Sequence, residues 1–158
     1  MAHWLENTVV VEVAAPLAQT WDLWSDLTAM PRWMRWIESV RELDDPLLTE
    51  WTLAAQGFRF NWKARTTCKV EMQQLHWQSV AGLPTKGAVR FYGTSPTSTT
   101  VKLSISYALP MVLAPLMRAS LVQGVVDREL QVNLERFKAL VEASPGNTPK
   151  QPGATGES

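Results

Sequence analysis

Side chains able to do acid–base or nucleophilic work are few in this sequence. Two histidines, His3 and His76, and one cysteine, Cys68, are the groups that ordinarily act near neutral pH. His76 stands beside Trp77 on the outward side of an alternating run and reads as a surface imidazole. Cys68 falls on the inward side of another run, where an unactivated thiol packs as a small apolar filler. No G-x-S-x-G elbow, H-E-x-x-H pair or phosphate-cradling Gly-rich loop is written in the chain. Two His and one Cys fall short of a four-ligand zinc site, so neither metal nor cofactor is expected and no catalytic residue is assigned. What the sequence does supply is groups suited to orienting a bound molecule. Thr66, Ser79 and Tyr107 occupy inward strand positions from which a hydroxyl can bond a ligand's carbonyl or satisfy a neighbouring backbone group. Asp127 and Arg128 read as the polar face of a helix.

Indole is the other conspicuous chemistry: eight Trp against two Tyr and four Phe. Such bulky rings, each with an N–H to satisfy, pack a small core poorly and point to a cavity as readily as to a filled interior. Their spacing shows what must hold them. A β-branched run over Asn7–Val13 is broken by Ala14-Ala15-Pro16, and Ala18–Asp26 has helical spacing, with Pro16 suited to the first turn. Leu17, Trp21 and Trp24 fall on one face of that helix. A second short helix is expected over Thr28–Trp36, carrying Trp33 and Trp36, so that the two helices make a Trp-rich wedge.

From Ile37 to Ala108 the period becomes two, with turn signals at Asp44-Asp45-Pro46, Gln56-Gly57, Gly82-Leu83-Pro84 and Thr94-Ser95-Pro96-Thr97. The clearest strand is Phe58–Val70. There Phe58, Phe60, Trp62, Ala64, Thr66, Cys68 and Val70 alternate with the basic or polar Arg59, Asn61, Lys63, Arg65, Thr67 and Lys69. The same rule turns Trp51, Leu53 and Ala55, then Leu75, Trp77 and Ser79, then Val89 and Phe91, then Val101, Leu103, Ile105 and Tyr107 to one side. A sheet with one apolar face needs a cover. After Pro110, Ala119, Val122, Val126, Leu130, Leu134 (or Asn133), Phe137 and Val141 recur at three- and four-residue steps and draw the stripe of one long helix. Its first part, with Met111, Val112, Leu113, Leu116, Met117, Leu121 and Val125, is apolar nearly all round, and Gly124 interrupts it where a bend or close approach is expected.

A length of 158 residues suits one domain, expected over 1–143. The remainder, 144–158, is rich in Pro and Gly and too poor in large apolar groups to fold, so it is expected to be a disordered tail. With 15 Lys+Arg against 15 Asp+Glu there is no net field to hold a polyanion, which argues against nucleic acid as a partner. The single Cys, the lack of a basic-then-apolar leader and the lack of an apolar run near the ~18 residues of a membrane span lead to the expectation of a cytoplasmic protein.

The order of strand, two short helices, six further strands and long helix resembles the helix-grip fold of the START-like, or SRPBCC, superfamily. Within it, the chain is most similar to the polyketide cyclase/dehydrase and lipid-transport group that includes coenzyme Q-binding proteins. Val9-Val10-Val11, Ala15-Pro16 and Thr20-Trp21-Asp22-Leu23-Trp24-Ser25-Asp26 resemble the family's opening, and Pro31-Arg32-Trp33 its next element. Trp77-Gln78-Ser79-Val80-Ala81-Gly82, Gly87-Ala88-Val89-Arg90-Phe91, Thr100-Val101-Lys102-Leu103 and Tyr107-Ala108-Leu109-Pro110 follow its strand run, and Phe137–Glu142 its helix end. These positions maintain a fold rather than carry chemistry.

The resemblance implies an α+β fold, a seven-stranded curved antiparallel sheet wrapped around the C-terminal helix, with a deep apolar cavity between them for a lipid, quinone or polyketide-like molecule. On this reading Trp33, Trp51, Phe60, Trp62, Thr66, Trp77, Ser79, Phe91, Tyr107, Leu113, Leu116, Met117 and Leu121 are the expected cavity residues. A carrier or binding protein is the first expectation. A cyclase or dehydratase using Tyr107, Ser79 or His76 is a second, and a protein-interaction or peripheral membrane-binding domain a third. The basic row Arg59, Lys63, Arg65, Lys69 and the segment 110–118 are candidate contacts for anionic headgroups, and the apolar half-helix would equally serve a homodimer.

Overall fold

The computed structural model describes residues 3–55, 57–109 and 119–144. Seven antiparallel strands form one sheet: β1 (His3–Val13), β2 (Ile37–Glu42), β3 (Leu48–Ala55), β4 (Phe58–Val70), β5 (Gln74–Gly82), β6 (Thr85–Ser95) and β7 (Ser98–Leu109), in the spatial order β1-β7-β6-β5-β4-β3-β2. The strands from β2 to β7 are a plain meander, and β1 completes the curved sheet by pairing with β7 over its whole length, from His3 opposite Leu109 to Val13 opposite Thr99. Between β1 and β2 lie α1 (Leu17–Ser25) and a short 3₁₀ helix (Leu27–Arg32), and α2 (Ala119–Glu142) is the last element among the described residues.

Alternation places the strand side chains as expected: along β4, Trp62 and Ala64 are buried while Arg59, Asn61, Lys63 and Arg65 are exposed. Pro16 stands just outside α1 instead of in its first turn, and its carbonyl accepts from the Thr20 amide (3.1 Å) and hydroxyl (3.0 Å). The helix expected over Thr28–Trp36 is the 3₁₀ turn instead, and it stops before Trp33. Pro31 is the reason, since it has no N–H to give and disfavours the α conformation at Met30. Asp26 starts that turn by accepting from the Thr28 amide and hydroxyl at 3.1 and 2.6 Å.

The C-terminal part of α2 is packed against the wedge. Phe137 meets Trp24 and Trp33 edge-on at 4.9 and 5.1 Å between ring centroids, and Leu134 and Val141 are buried beside it. The same helix lies along the outer edge of β1. Gln123 donates to the Glu6 carbonyl (3.0 Å), Gln131 to that of Val10 (3.2 Å) and Lys138 to that of Glu12 (2.9 Å), which satisfies carbonyls that an edge strand would leave open. Among the described residues Gly124 makes no close approach to another element, for nothing lies within 4 Å of where its Cβ would be. The apolar residues expected over 110–118 lie outside the described residues, as does nearly all of the expected tail.

No helix among the described residues is long and apolar enough to cross a membrane. On the outer face, Arg59 pairs with Glu38 (2.9 Å), Arg65 with Asp45 (3.6 Å) and Arg41 with Glu50, so the basic row is interleaved with acids.

Candidate functional site

Where α2 departs from the sheet a hollow of about 580 Å³ opens, walled by β3–β7, by the turn region 30–37 and by the N-terminal half of α2. Its most regular wall comes from the alternation of three neighbouring strands. Trp51 and Trp62 are register partners on β3 and β4, and their rings stack at 5.6 Å and 17°. Trp77 of β5 also stacks on Trp51, at 5.9 Å and 15°. Two small residues leave room for this pile: Ala64, buried on β4, and Gly87, the register partner of Trp77, whose missing Cβ would sit 2.2 Å from the Trp77 ring. The Trp51 indole donates to Thr49 Oγ1 at 2.8 Å, whereas the Trp62 N–H and the Thr85 hydroxyl, also on wall residues, have no hydrogen-bond partner among the described residues.

Phe60, Tyr107 and Leu121 join the indoles at the hollow, so six of the expected cavity residues are brought together: Trp51, Phe60, Trp62, Trp77, Tyr107 and Leu121. Four others are placed away from this wall. Trp33 and Phe91 belong to the core beneath α1, Trp33 against Trp24 (5.5 Å) and Phe91 against Trp21 (5.3 Å), because α1 and the turn after it cover that end of the sheet. Ser79 Oγ accepts from the Thr85 amide (3.1 Å) and is committed to the β5–β6 corner. Thr66 is half-buried further along β4 and is not part of the wall. Leu113, Leu116 and Met117 lie outside the described residues.

The wall also contains residues that strand alternation does not reveal. Met30, Met34 and Trp36 come from the turns after α1, Ile37 from the first position of β2, Leu83 from the β5–β6 corner, and Glu129 and Asn133 from α2. Asn133 sits inside the apolar stripe of α2, 2 % exposed, and that break in the stripe was its one signal in the sequence.

Chemically the hollow is quiet. The Tyr107 hydroxyl donates to Asn7 Oδ1 (2.8 Å), and Asn7 in turn donates to the Gln123 carbonyl (3.0 Å). Burial, with Asp127 nearby, pushes the Tyr107 phenol up to about 12, so it stays protonated and bonded at neutral pH. His76 bonds Gln74 (3.0 Å) and, like Cys68, is not part of the wall. Lys86 and Glu129 are the charged residues of the hollow among those described. No group of three or more His, Cys, Asp or Glu able to hold a metal ion occurs among the described residues.

The sequence matches the family described as polyketide cyclase / dehydrase and lipid transport over residues 13–138. The chain belongs to this family. Its fold recurs in members of the START superfamily and in aromatase/cyclases. A START superfamily protein from Mycobacterium smegmatis is similar with a TM-score of 0.69 at 19% identity, over 89% of this chain and 97% of that one. The Zhui aromatase/cyclase from Streptomyces sp. R1128 reaches 0.73 at 15% identity, over 89% and 94%. A protein from Thermus thermophilus reaches 0.74 at 20% identity, over 89% and 99%. No curated protein matches the sequence. At these identities the structural likenesses speak to the fold, and the polyketide cyclase/dehydrase and lipid transport family itself marks the chain as a hydrophobic ligand-binding domain or a cyclase.

Proposed function

We propose that the protein binds a hydrophobic small molecule, lipid, quinone or polyketide-like, between the sheet and α2, as a carrier or binding protein. The observation that carries this reading is the hollow itself. A hollow of about 580 Å³ keeps a large apolar wall in contact with solvent, at a cost of about 25 cal/mol for each Å² left unburied. A wall of stacked indoles, leucines and methionines is poorly suited to holding water in that space, and an apolar guest removes the penalty.

The binding reading is favoured over a cyclase or dehydratase by the state of the groups such a reaction would use. Tyr107 is bonded and held neutral, Ser79 is engaged at a strand corner, and His76 lies off the wall. Native mass spectrometry of freshly purified protein, followed by solvent extraction, tests the proposal. A co-purifying apolar species is expected, together with a change in Trp fluorescence when the stripped protein meets a panel of lipids, quinones and aromatic polyketides. A protein that carries nothing and shows no fluorescence response to the panel overturns it. Turnover of a polyketide-like substrate that drops when Tyr107 or Glu129 is replaced would instead establish the enzyme.

A further inference from the structure

A buried amide on the wall of an apolar hollow needs a physical reason. Asn133 occupies a position of α2 flanked by the buried Leu130, Leu134 and Phe137, where a leucine would continue the stripe. Its carbonyl oxygen is well supplied: Arg136 Nη1 donates to it at 2.6 Å and the Arg35 amide at 3.5 Å. Arg136 is itself held by the Trp33 carbonyl at 3.0 Å. Because both neighbours are donors, the amide cannot be turned over without setting N–H against N–H, so its NH₂ end is fixed on the other side. There its partner among the described residues is Met34 Sδ at 3.6 Å, a weak acceptor that is also part of the wall. A preoriented NH₂ group, polarised by a guanidinium on its oxygen, is thus left under-used at the surface of the hollow.

Resting on the binding reading above, we propose that the Asn133 side-chain N–H is the orienting donor for a ligand carbonyl oxygen, replacing the contact to Met34 when the hollow is filled. The arrangement selects for ligands that carry an oxo group over hydrocarbons of the same shape. Such a donor discriminates sharply because the ligand lacking the oxygen leaves the amide buried without a good acceptor.

The test uses 9-fluorenone and fluorene, a planar pair that differ by one carbonyl oxygen, titrated into the full chain by Trp fluorescence and calorimetry. The wild type is expected to bind fluorenone about tenfold more tightly than fluorene, the worth of one good hydrogen bond in a dry site. Asn133→Asp keeps an acceptor for Arg136 and for the Arg35 amide but removes the N–H. It is expected to erase the fluorenone preference, so that the roughly tenfold ratio between the two probes collapses to about one or below. The infrared carbonyl stretch of fluorenone bound to the wild type supplies a second reading that needs no variant, and it is expected at the lower frequency of a hydrogen-bonded ketone. Equal affinity for both probes in the wild type, or a bound carbonyl that absorbs as in hydrocarbon solvent, overturns the role of Asn133 and leaves the hollow as a binding site. Failure of both probes to bind overturns the hollow reading with it.

Discussion

Tyr107 separates two kinds of role that a cavity hydroxyl can play. Its O–H is spent on Asn7, which ties β7 to β1 and, through the Gln123 carbonyl, to α2. Burial raises its ionisation from the ordinary 10 to about 12. The folded chain therefore keeps a proton that the unfolded chain has lost, so this group's contribution to stability is whole below pH 10 and lost as the pH rises through 12. Urea midpoints of the wild type should fall between pH 10 and 12, and Tyr107→Phe should flatten that fall while lowering stability at pH 7, where Asn7 Oδ1 loses its donor. An equally steep fall in the variant would place the alkaline sensitivity elsewhere.

Gly87 is the other residue on which the site turns. Replacing it with Ala forces a Cβ against the Trp77 ring at 2.2 Å, so the indole or the β6 backbone must shift. Gly87→Ala is expected to cost about 1–3 kcal/mol in urea unfolding and to weaken apolar ligands, since either shift disturbs the Trp62–Trp51–Trp77 pile.

At the scale of elements, α2 does two jobs with different halves. Its C-terminal half locks into the Trp24, Trp33 and Phe137 cluster, and its side chains occupy the open edge of β1. Its N-terminal half stands over the hollow, and there Leu121 is 65% exposed and a Cβ added at Gly124 would meet nothing within 4 Å among the described residues. A glycine in such a place costs helix propensity without repaying it in packing. Gly124→Ala should raise stability by about 1 kcal/mol, read as a higher urea midpoint at an unchanged slope. A loss of stability would mean that the helix needs a bend there.

The elements show what a sequence reveals and what it hides. Strand alternation made the indoles of β3, β4 and β5 legible, because period two alone decides which face they take. It could not distinguish an inward position over the hollow from one under α1, which is why Phe91 was expected where Trp77 stands. That distinction depends on how far α2 and the 3₁₀ turn reach across the sheet, a tertiary matter with no local pattern. Met30, Met34 and Trp36 were illegible for a related reason: on both sides of Pro31 the chain follows single turns, and no period assigns a side to a turn residue.

For the whole molecule, the hollow is a cost that a purely structural domain would remove by filling. One buried core runs from Val13, Trp24, Leu103 and Val101 to Phe137 and Val141 and continues into the wall residues Trp51, Trp62 and Trp77, so the hollow borders a core that is already packed. Val126 faces the space from α2 and packs against the core at its inner side. Val126→Phe should therefore occupy part of the hollow. The expected result is an unliganded protein more stable by about 0.5–1.5 kcal/mol, for the apolar area taken out of water, with affinity for apolar probes lowered about tenfold or more. The wild type should recover the difference when ligand is added, gaining about 2.7 kcal/mol at a free concentration about a hundred times its dissociation constant. The variant should gain little. Stability and binding then move in opposite directions from one substitution, the signature of a space kept open for a guest. A variant both less stable and still able to bind would show that the wall had no room at Val126 and that the space in use lies elsewhere.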